Sequence, residues 1–266
     1  MFVFVLFALQ NVNSIQRVHI QLSAQSFKYV FFNTENKILT SGAIPLQHQD
    51  LRQWEAVISG NPWEQAYNVP VYIYVWNPLF TIVPASFYDD ALKVSSLELV
   101  MGQLKHQHVF AKPILSNMYL QAVPYIFEQF FTSRFKHLHW IGIPEFYLNF
   151  LSSKSTQQTA ISISWHEHLL TLTAVNKQQL LFCNSYQAKD DTEALYYILF
   201  VKQHVLQSYT IGSIYLFGDE LTVLKSSLVN YFKNTAFHSA VANSAMSNHK
   251  MEHHVSIELL TLHPCV

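Results

Sequence analysis

Three His-x-His pairs, His106/His108, His137/His139 and His166/His168, have the residue types and spacing to do chemistry. On a β-strand, residues two apart point to the same face, so each pair could turn two imidazoles toward one metal ion. His253 and His254 could add a ligand, and Glu167 could orient or activate a bound water, the basis for metal-dependent hydrolysis around His166, Glu167 and His168. A plainer reading competes. Fourteen histidines make chance pairs expected, and hairpin tips are ordinarily solvated. "MEHHV" lacks the two histidines four apart, with Glu between, of helical zinc proteases. No metal site is assigned.

Other chemistries find less support. No G-x-S-x-G elbow occurs, and Ser213, after Gly212, enters what reads as a buried strand. Cys183 follows Leu180, Leu181 and Phe182, the setting of an inert buried thiol. Asp89-Asp90 and Asp190-Asp191 read as loop or helix-start acids. No Walker loop is present, and six glycines leave little material for a phosphate cradle. Only 12% of the 266 residues are charged, against roughly 25% in an average domain. With a net charge of −1 and no Lys/Arg run, the chain lacks the positive footprint that nucleic acid requires. Aromatics at 15% on a weakly charged surface favour a protein partner or self-association. Two cysteines, Cys183 and Cys265, fit a reducing compartment, and a cytoplasmic location is expected. The apolar start "MFVFVLFALQ" has no basic residue before it, no cleavage pattern, and less than membrane-spanning length. It reads as a short strand or a misplaced start rather than a secretion signal.

The elements that would position these residues follow from periodicity. Over 18–39, Val18, Ile20 and Leu22 alternate with His19 and Gln21, Phe27, Tyr29 and Phe31 continue the pattern on the next strand, and "NTENK" supplies a turn before a third strand. A helix through Leu51, Trp54, Val57 and Ile58 is expected, capped by Asp50 and stopped by Gly60. "VPVYIYVW" (69–76) suits a buried strand. Residues 160–185 repeat the grammar: Ile161, Ile163 and Trp165 alternate, a three-residue turn 166–168 follows, then Leu170 and Leu172, "NKQQ", and a third strand. A helix at 192–206, a strand at 212–220 and a helix at 221–232 complete the second half. Residues 118–135, with Tyr119, Val123, Ile126, Phe127 and Phe130 at helical spacing, read as a core helix that Pro124 kinks or restarts. Two halves with the order hairpin, strand, helix, strand at a period near 143 residues indicate a duplicated domain.

The segments "IQLSAQSFKYVFF", "LFTIVPASFYDD", "FKHLHWIG", "ISISWHEHLLTLTAVNKQQLLF" and "EALYYILF…IYLFGDE" taken in this order give the chain a resemblance. Over roughly residues 17–240 it resembles an uncharacterised family of Bacteroidetes proteins with the actin-like ATPase fold, the superfamily of actin, sugar kinases and pilus-assembly ATPases. The resemblance implies an α/β, ribonuclease-H-like architecture of two βββαβ-type halves with a cleft between them. The first half is placed at 17–156, with an insertion at about 78–115, and the second at 157–266; residues 1–16 form an extension. In active relatives the first turn of each half holds nucleotide phosphates through an acid, a spacer and a Gly, while paired glycines meet the nucleoside. Here those positions are Ser23, Ala24 and Gln25, then His166, Glu167 and His168, then Gly218 and Asp219. One acid stands at the turns, and one glycine at the nucleoside position. The expectation is a degenerate nucleotide site with no cofactor and no catalytic residue, in a protein-binding module. A divergent nucleotide-binding ATPase or kinase, with Glu167 or Asp219 near Mg²⁺, is the alternative.

Overall fold

The computed structural model describes residues 15–45, 51–155, 158–218 and 221–239. In chain order the first half contains β1 (Ile15–Ser23), β2 (Ser26–Asn33), β3 (Ile38–Pro45), α1 (Leu51–Val57) and β4 (Pro70–Trp76). Next come β5 (Phe80–Pro84), α2 (Lys93–Met101), β6 (Gln107–Ile114), β7 (Asn117–Pro124), α3 (Tyr125–Thr132), β8 (His137–Gly142) and α4 (Ile143–Lys154). The second half runs β9 (Thr159–His166), β10 (Leu169–Asn176), β11 (Gln179–Gln187), α5 (Asp191–His204), β12 (Ile211–Phe217), α6 (Leu221–Tyr231) and β13 (Ala236–Ser239). Two five-stranded sheets, ordered β3-β2-β1-β4-β8 and β11-β10-β9-β12-β13, share one topology. In each, the first strand pairs antiparallel with the second and parallel with the fourth. The duplication expected from the sequence is present: an α/β chain in which one sheet arrangement occurs twice.

The described residues divide into two compact units. One holds those up to Trp76 together with Ile126–Ile141; the other holds Asn77–Tyr125 and those from Gly142 onward. In the first unit, strand alternation sends Val18, Ile20 and Leu22 to one face, beside Phe27, Phe31, Val71 and Ile73 of the neighbouring strands. These residues are buried, and aromatic rings cover them. Phe27 lies 5.4 Å from Trp54 of α1 and 6.4 Å from Phe131 of α3, ring centre to ring centre, while Trp54 stacks on Phe127 at 4.6 Å. Such offset and edge contacts are worth about 0.5–1.5 kcal/mol each beyond the area they bury.

In the second unit, Ile161, Ile163, Leu170, Leu172, Ile214 and Leu216 form one sheet face, packed on Ala194, Ile198 and Val201 of α5 and Leu224 and Leu228 of α6. Asp190 starts α5 by accepting hydrogen bonds from Thr192 N and Glu193 N at 2.9 and 3.0 Å, the helix-start role read for it. Asp89 does the same for a 3-10 turn, accepting from Ala91 N. The opposite sheet face carries Ser162, Ser164, Thr171 and Thr173 and lies under α4, whose Tyr147 hydroxyl contacts Ser164 Oγ at 2.6 Å. A three-stranded sheet, β5-β7-β6, belongs to this unit, with Leu97 of α2 buried against Val109, Leu120 and Ala122.

Two expectations need correction. Residues 118–135 are not one interrupted helix: β7 occupies Asn117–Pro124 and α3 begins at Tyr125. Pro124 disfavours helical geometry at Val123, and β7 is buried on both faces, so its apolar residues show no alternation to reveal it. The turn after β9 also has two residues rather than three, because His166 still pairs with Leu169. The three-stranded sheet, α2, α4 and β13 were not anticipated. Asp50, expected to cap α1, lies outside the described residues, as do His253 and His254.

Candidate functional site: the two hairpin tips

The first tip joins β1 to β2 through Ala24 and Gln25, both exposed. Its geometry is set by one side chain. Ser23 Oγ accepts hydrogen bonds from Gln25 N at 3.2 Å and Ser26 N at 2.9 Å, and it also contacts Ser26 Oγ at 3.0 Å. Serine hydroxyls close turns in this way by imitating a backbone carbonyl. Ser23 itself is buried, at 6% exposure. Two amides of the bend are therefore held from within the chain.

The second tip joins β9 to β10 through Glu167 and His168, at φ of 49° and 65°. Two successive positive φ values match a type I′ turn, whose twist suits the strands and which favours Asn-Gly. His166 is buried as the last strand residue, Glu167 is half-buried, and His168 is exposed with its carbonyl accepting from Ala188 N at 2.8 Å. His166 and His168 thus do not share a strand face. His106 also sits outside its strand, at φ 57°, so among the three pairs only His137 and His139 belong to one strand, β8. No group of three or more His, Cys, Asp or Glu side chains suited to a metal occurs among the described residues.

Gly218 follows β12 and passes close to His166, another expected site residue. It has φ of 115°, and a Cβ there would overlap the Trp165 carbonyl oxygen and lie 3.2 Å from His166 Nε2. Glycine is required at this position by the close passage of chain against the β9 end. Asp219 lies outside the described residues. Ser23, Ala24 and Gln25 belong to the first unit, and His166, Glu167, His168 and Gly218 to the second.

Sequence reasoning missed a buried polar network in the second unit. Lys112 Nζ on β6 donates to Glu145 Oε1 of α4 at 3.0 Å, and Glu145 Oε2 accepts from Gly142 N at 3.0 Å. Burial pushes the Glu145 carboxyl above its ordinary value, against the opposing pull of Lys112 and the Gly142 amide. Nearby, the Tyr119 hydroxyl bonds Gln121 Oε1, and Gln121 Nε2 donates to Asn77 Oδ1 at 2.8 Å. Polar residues inside apolar runs, Gln121 in "YLQAVP" and Glu145 in "IPEFYL", were the available signal. Burial also pushes the Cys183 thiol up to about 12, and Thr173 Oγ1 lies 3.7 Å from its sulfur. At that value the thiolate is scarce, consistent with the inert thiol expected.

Residues 11–237 match the model of a family described as protein of unknown function, DUF3822. The chain belongs to that family. A search among curated proteins finds no match. Among solved structures, a Bacteroides thetaiotaomicron protein with actin-like ATPase fold and unknown function aligns with a TM-score of 0.73 and 14% identity, over 85% of this chain and 91% of that one. The PilM–PilN type IV pilus biogenesis complex aligns with a TM-score of 0.54 and 11% identity, over 88% of this chain and 90% of that one. At these identities the likeness shows the fold, and it agrees with the paired sheet topology. No helix among the described residues is long and apolar enough to cross a membrane.

Proposed function

We propose that this member of the DUF3822 family is a non-catalytic actin-like module that works by binding a protein, either another chain or a second copy of itself. The observation that carries the reading is the Ser23 hydroxyl, which accepts from Gln25 N and Ser26 N. A phosphate loop needs such amides turned outward toward oxyanions, and it needs an acid beside them for Mg²⁺. Here a neutral side chain occupies the amides and no acid stands in the turn. The second tip supports the same reading with His166, Glu167 and His168, where acid, spacer and glycine are expected of an active relative. The lone Gly218 has a packing reason for its identity. A likeness to PilM–PilN, a complex between two proteins, is consistent with a fold that serves binding. The weakly charged, aromatic-rich composition suits a protein partner.

Thermal unfolding with ATP and Mg²⁺ tests this directly. At a hundred times Kd a nucleotide adds about 2.7 kcal/mol of stability, an easily measured shift. The reading expects no shift, together with a stoichiometric complex or a self-associated species in sedimentation. A saturable ATP-dependent shift would favour a divergent nucleotide-binding ATPase or kinase. Strictly monomeric behaviour with no partner recovered would count against the binding role.

A further inference from the structure

Each described sheet has two edge strands, and an edge strand turns a row of backbone amides and carbonyls away from its own sheet. Natural edges are ordinarily blunted by shortness, by charge, or by proline or glycine. β5 has five residues and ends on Pro84, and β6 carries Lys112 and Pro113. β8 has six residues and β13 four, while β3 is interrupted by Gly42, against the Tyr29 ring, and ends on Pro45. β11 has none of these devices. Its nine residues, "QLLFCNSYQ", contain no proline, glycine, lysine, arginine, aspartate or glutamate. The register shows which of its groups face outward. Ala188 N donates to His168 O just past the strand end, so the alternating antiparallel ladder bonds Tyr186, Asn184 and Phe182 to β10. Cys183, Ser185 and Gln187 then turn their amides and carbonyls away from β10. Among the described residues no strand meets that outer side. Ser185 N donates instead to the Asn184 side chain at 2.9 Å, a local stand-in for a strand carbonyl.

Charge and symmetry set what fits this edge. Like charges directly opposite each other destabilise a strand pair, and β11 has no charge to set against its own copy in any register. The whole chain carries a formal net charge of −1, so two copies meet with little repulsion. Antiparallel pairing of two identical edges is a two-fold contact that closes at a dimer. Its axis stands normal to the sheet, which puts both copies of α5 on one side of the joined sheet. There an aromatic row leads away from the edge. Tyr186 of β11 stacks on Tyr197 at 4.4 Å, Tyr197 meets Tyr196 at 5.4 Å, and Tyr196 meets Phe200 at 6.2 Å. Tyr196 is 61% exposed and Phe200 44%, apolar surface that a second copy can cover. We propose that β11 is a homodimer seam, at which the β11 edges of two copies pair antiparallel and join their sheets into one. The proposal rests on the protein-binding role and gives it a partner, a second copy of this chain, and a surface.

Sedimentation velocity of the full-length protein over about a hundredfold range of concentration reads the dimer, and amide hydrogen exchange at both ends of that range reads its seam. The proposal expects a monomer–dimer equilibrium, with exchange at Cys183, Ser185 and Gln187 slower by about tenfold or more at the concentrated end. Asn184→Lys places like charges at the seam, and Ser185→Pro removes an outward amide that β10 does not use. Each should leave a monomer. Thr40→Lys, the same kind of change on the β3 edge, should leave the dimer intact. A dimer that survives both β11 variants, or whose β11 amides ignore dilution, overturns the seam while the binding role stands. A monomer at every concentration also overturns it; a different stoichiometric partner then keeps the binding role, and the absence of one removes both. A monomer with all three amides protected at every concentration assigns the edge to another segment of this chain and likewise overturns the proposal. Because exchange is read in wild-type protein, the test survives a variant that fails to fold.

Discussion

The two halves repeat one sheet topology yet differ wherever the repeat is polar. Their apolar faces correspond: Val18, Ile20 and Leu22 in β1 pair in parallel with Val71, Ile73 and Val75, as Ile161 and Ile163 in β9 pair with Ile214 and Leu216. The other face of β1 carries Arg17, His19 and Gln21, long side chains among aromatic rings; that of β9 carries Ser162 and Ser164, short hydroxyls under α4. The tips diverge further. One bend is closed by a side chain at ordinary φ, the other by two residues at positive φ. The fold is thus held by apolar alternation, while the turns and the polar faces differ between the halves.

That contrast can be broken at several points. The largest effect is expected at Gly218, where positive φ and backbone overlap combine: Gly218→Val should lose about 3 kcal/mol or more of unfolding free energy in urea. Gly102→Ala, at φ 79° with open space around it, should lose about 1 kcal/mol. Equal losses would remove the close-packing explanation for the glycine.

Charge gives the next contrast, because the second unit pairs its buried Glu145 with Lys112, while the buried Arg17 of the first unit has no ion pair among the described residues. Lys112→Met should cost about 2 kcal/mol at neutral pH, less than a wholly buried pair because the Lys112 side chain is 34% exposed. Much of that loss should return on acidification. Glu145 has its folded value raised above its ordinary one by burial, so the native state holds the proton more tightly than the unfolded chain. Its contribution is then fully favourable below the ordinary carboxylate range and is lost as pH rises through the raised value. Glu145→Gln should flatten this part of a stability–pH profile, and a profile unchanged by Glu145→Gln would contradict the assignment.

Smaller effects separate the two tips. Ser23→Ala should destabilise by about 1 kcal/mol, as expected when backbone amides lose a side-chain acceptor. His168→Gly should stabilise by about 0.5–1 kcal/mol because φ of 65° then carries no side-chain strain. Ala24→Gly should bring no such gain, since the first bend has no residue at positive φ. Chemical denaturation resolves all three, and a gain at Ala24 equal to that at His168 would erase the distinction between the turns.

Much of this architecture was legible because both three-stranded ribbons alternate cleanly and both are followed by helix and strand. The parts that stayed hidden lack a polar face or a clear period. α4 buries Ile143, Pro144, Glu145, Phe146, Tyr147, Leu148 and Leu151, so its sequence "IPEFYLNFLSSK" shows little amphipathic pattern. β7 buries Tyr119 through Val123 on both faces, and its spacing of apolar residues imitates a helix. At the tips, Ser23 and Gly218 were legible as positions but their contacts were not. Whether a serine grips its own turn, or a glycine clears a carbonyl, depends on how chain segments meet in space. Arg17 stands just before the alternating residues, and its burial emerges only from its place in the sheet opposite Phe32 of β2.

Amide NMR during titration with ATP and Mg²⁺ is the most direct measurement of the central claim. Gln25 and Ser26 report the first tip, and Glu167 and His168 the second. The account predicts that these four amide resonances stay in place at millimolar nucleotide. Saturable shifts at both tips, with a common Kd, would contradict it.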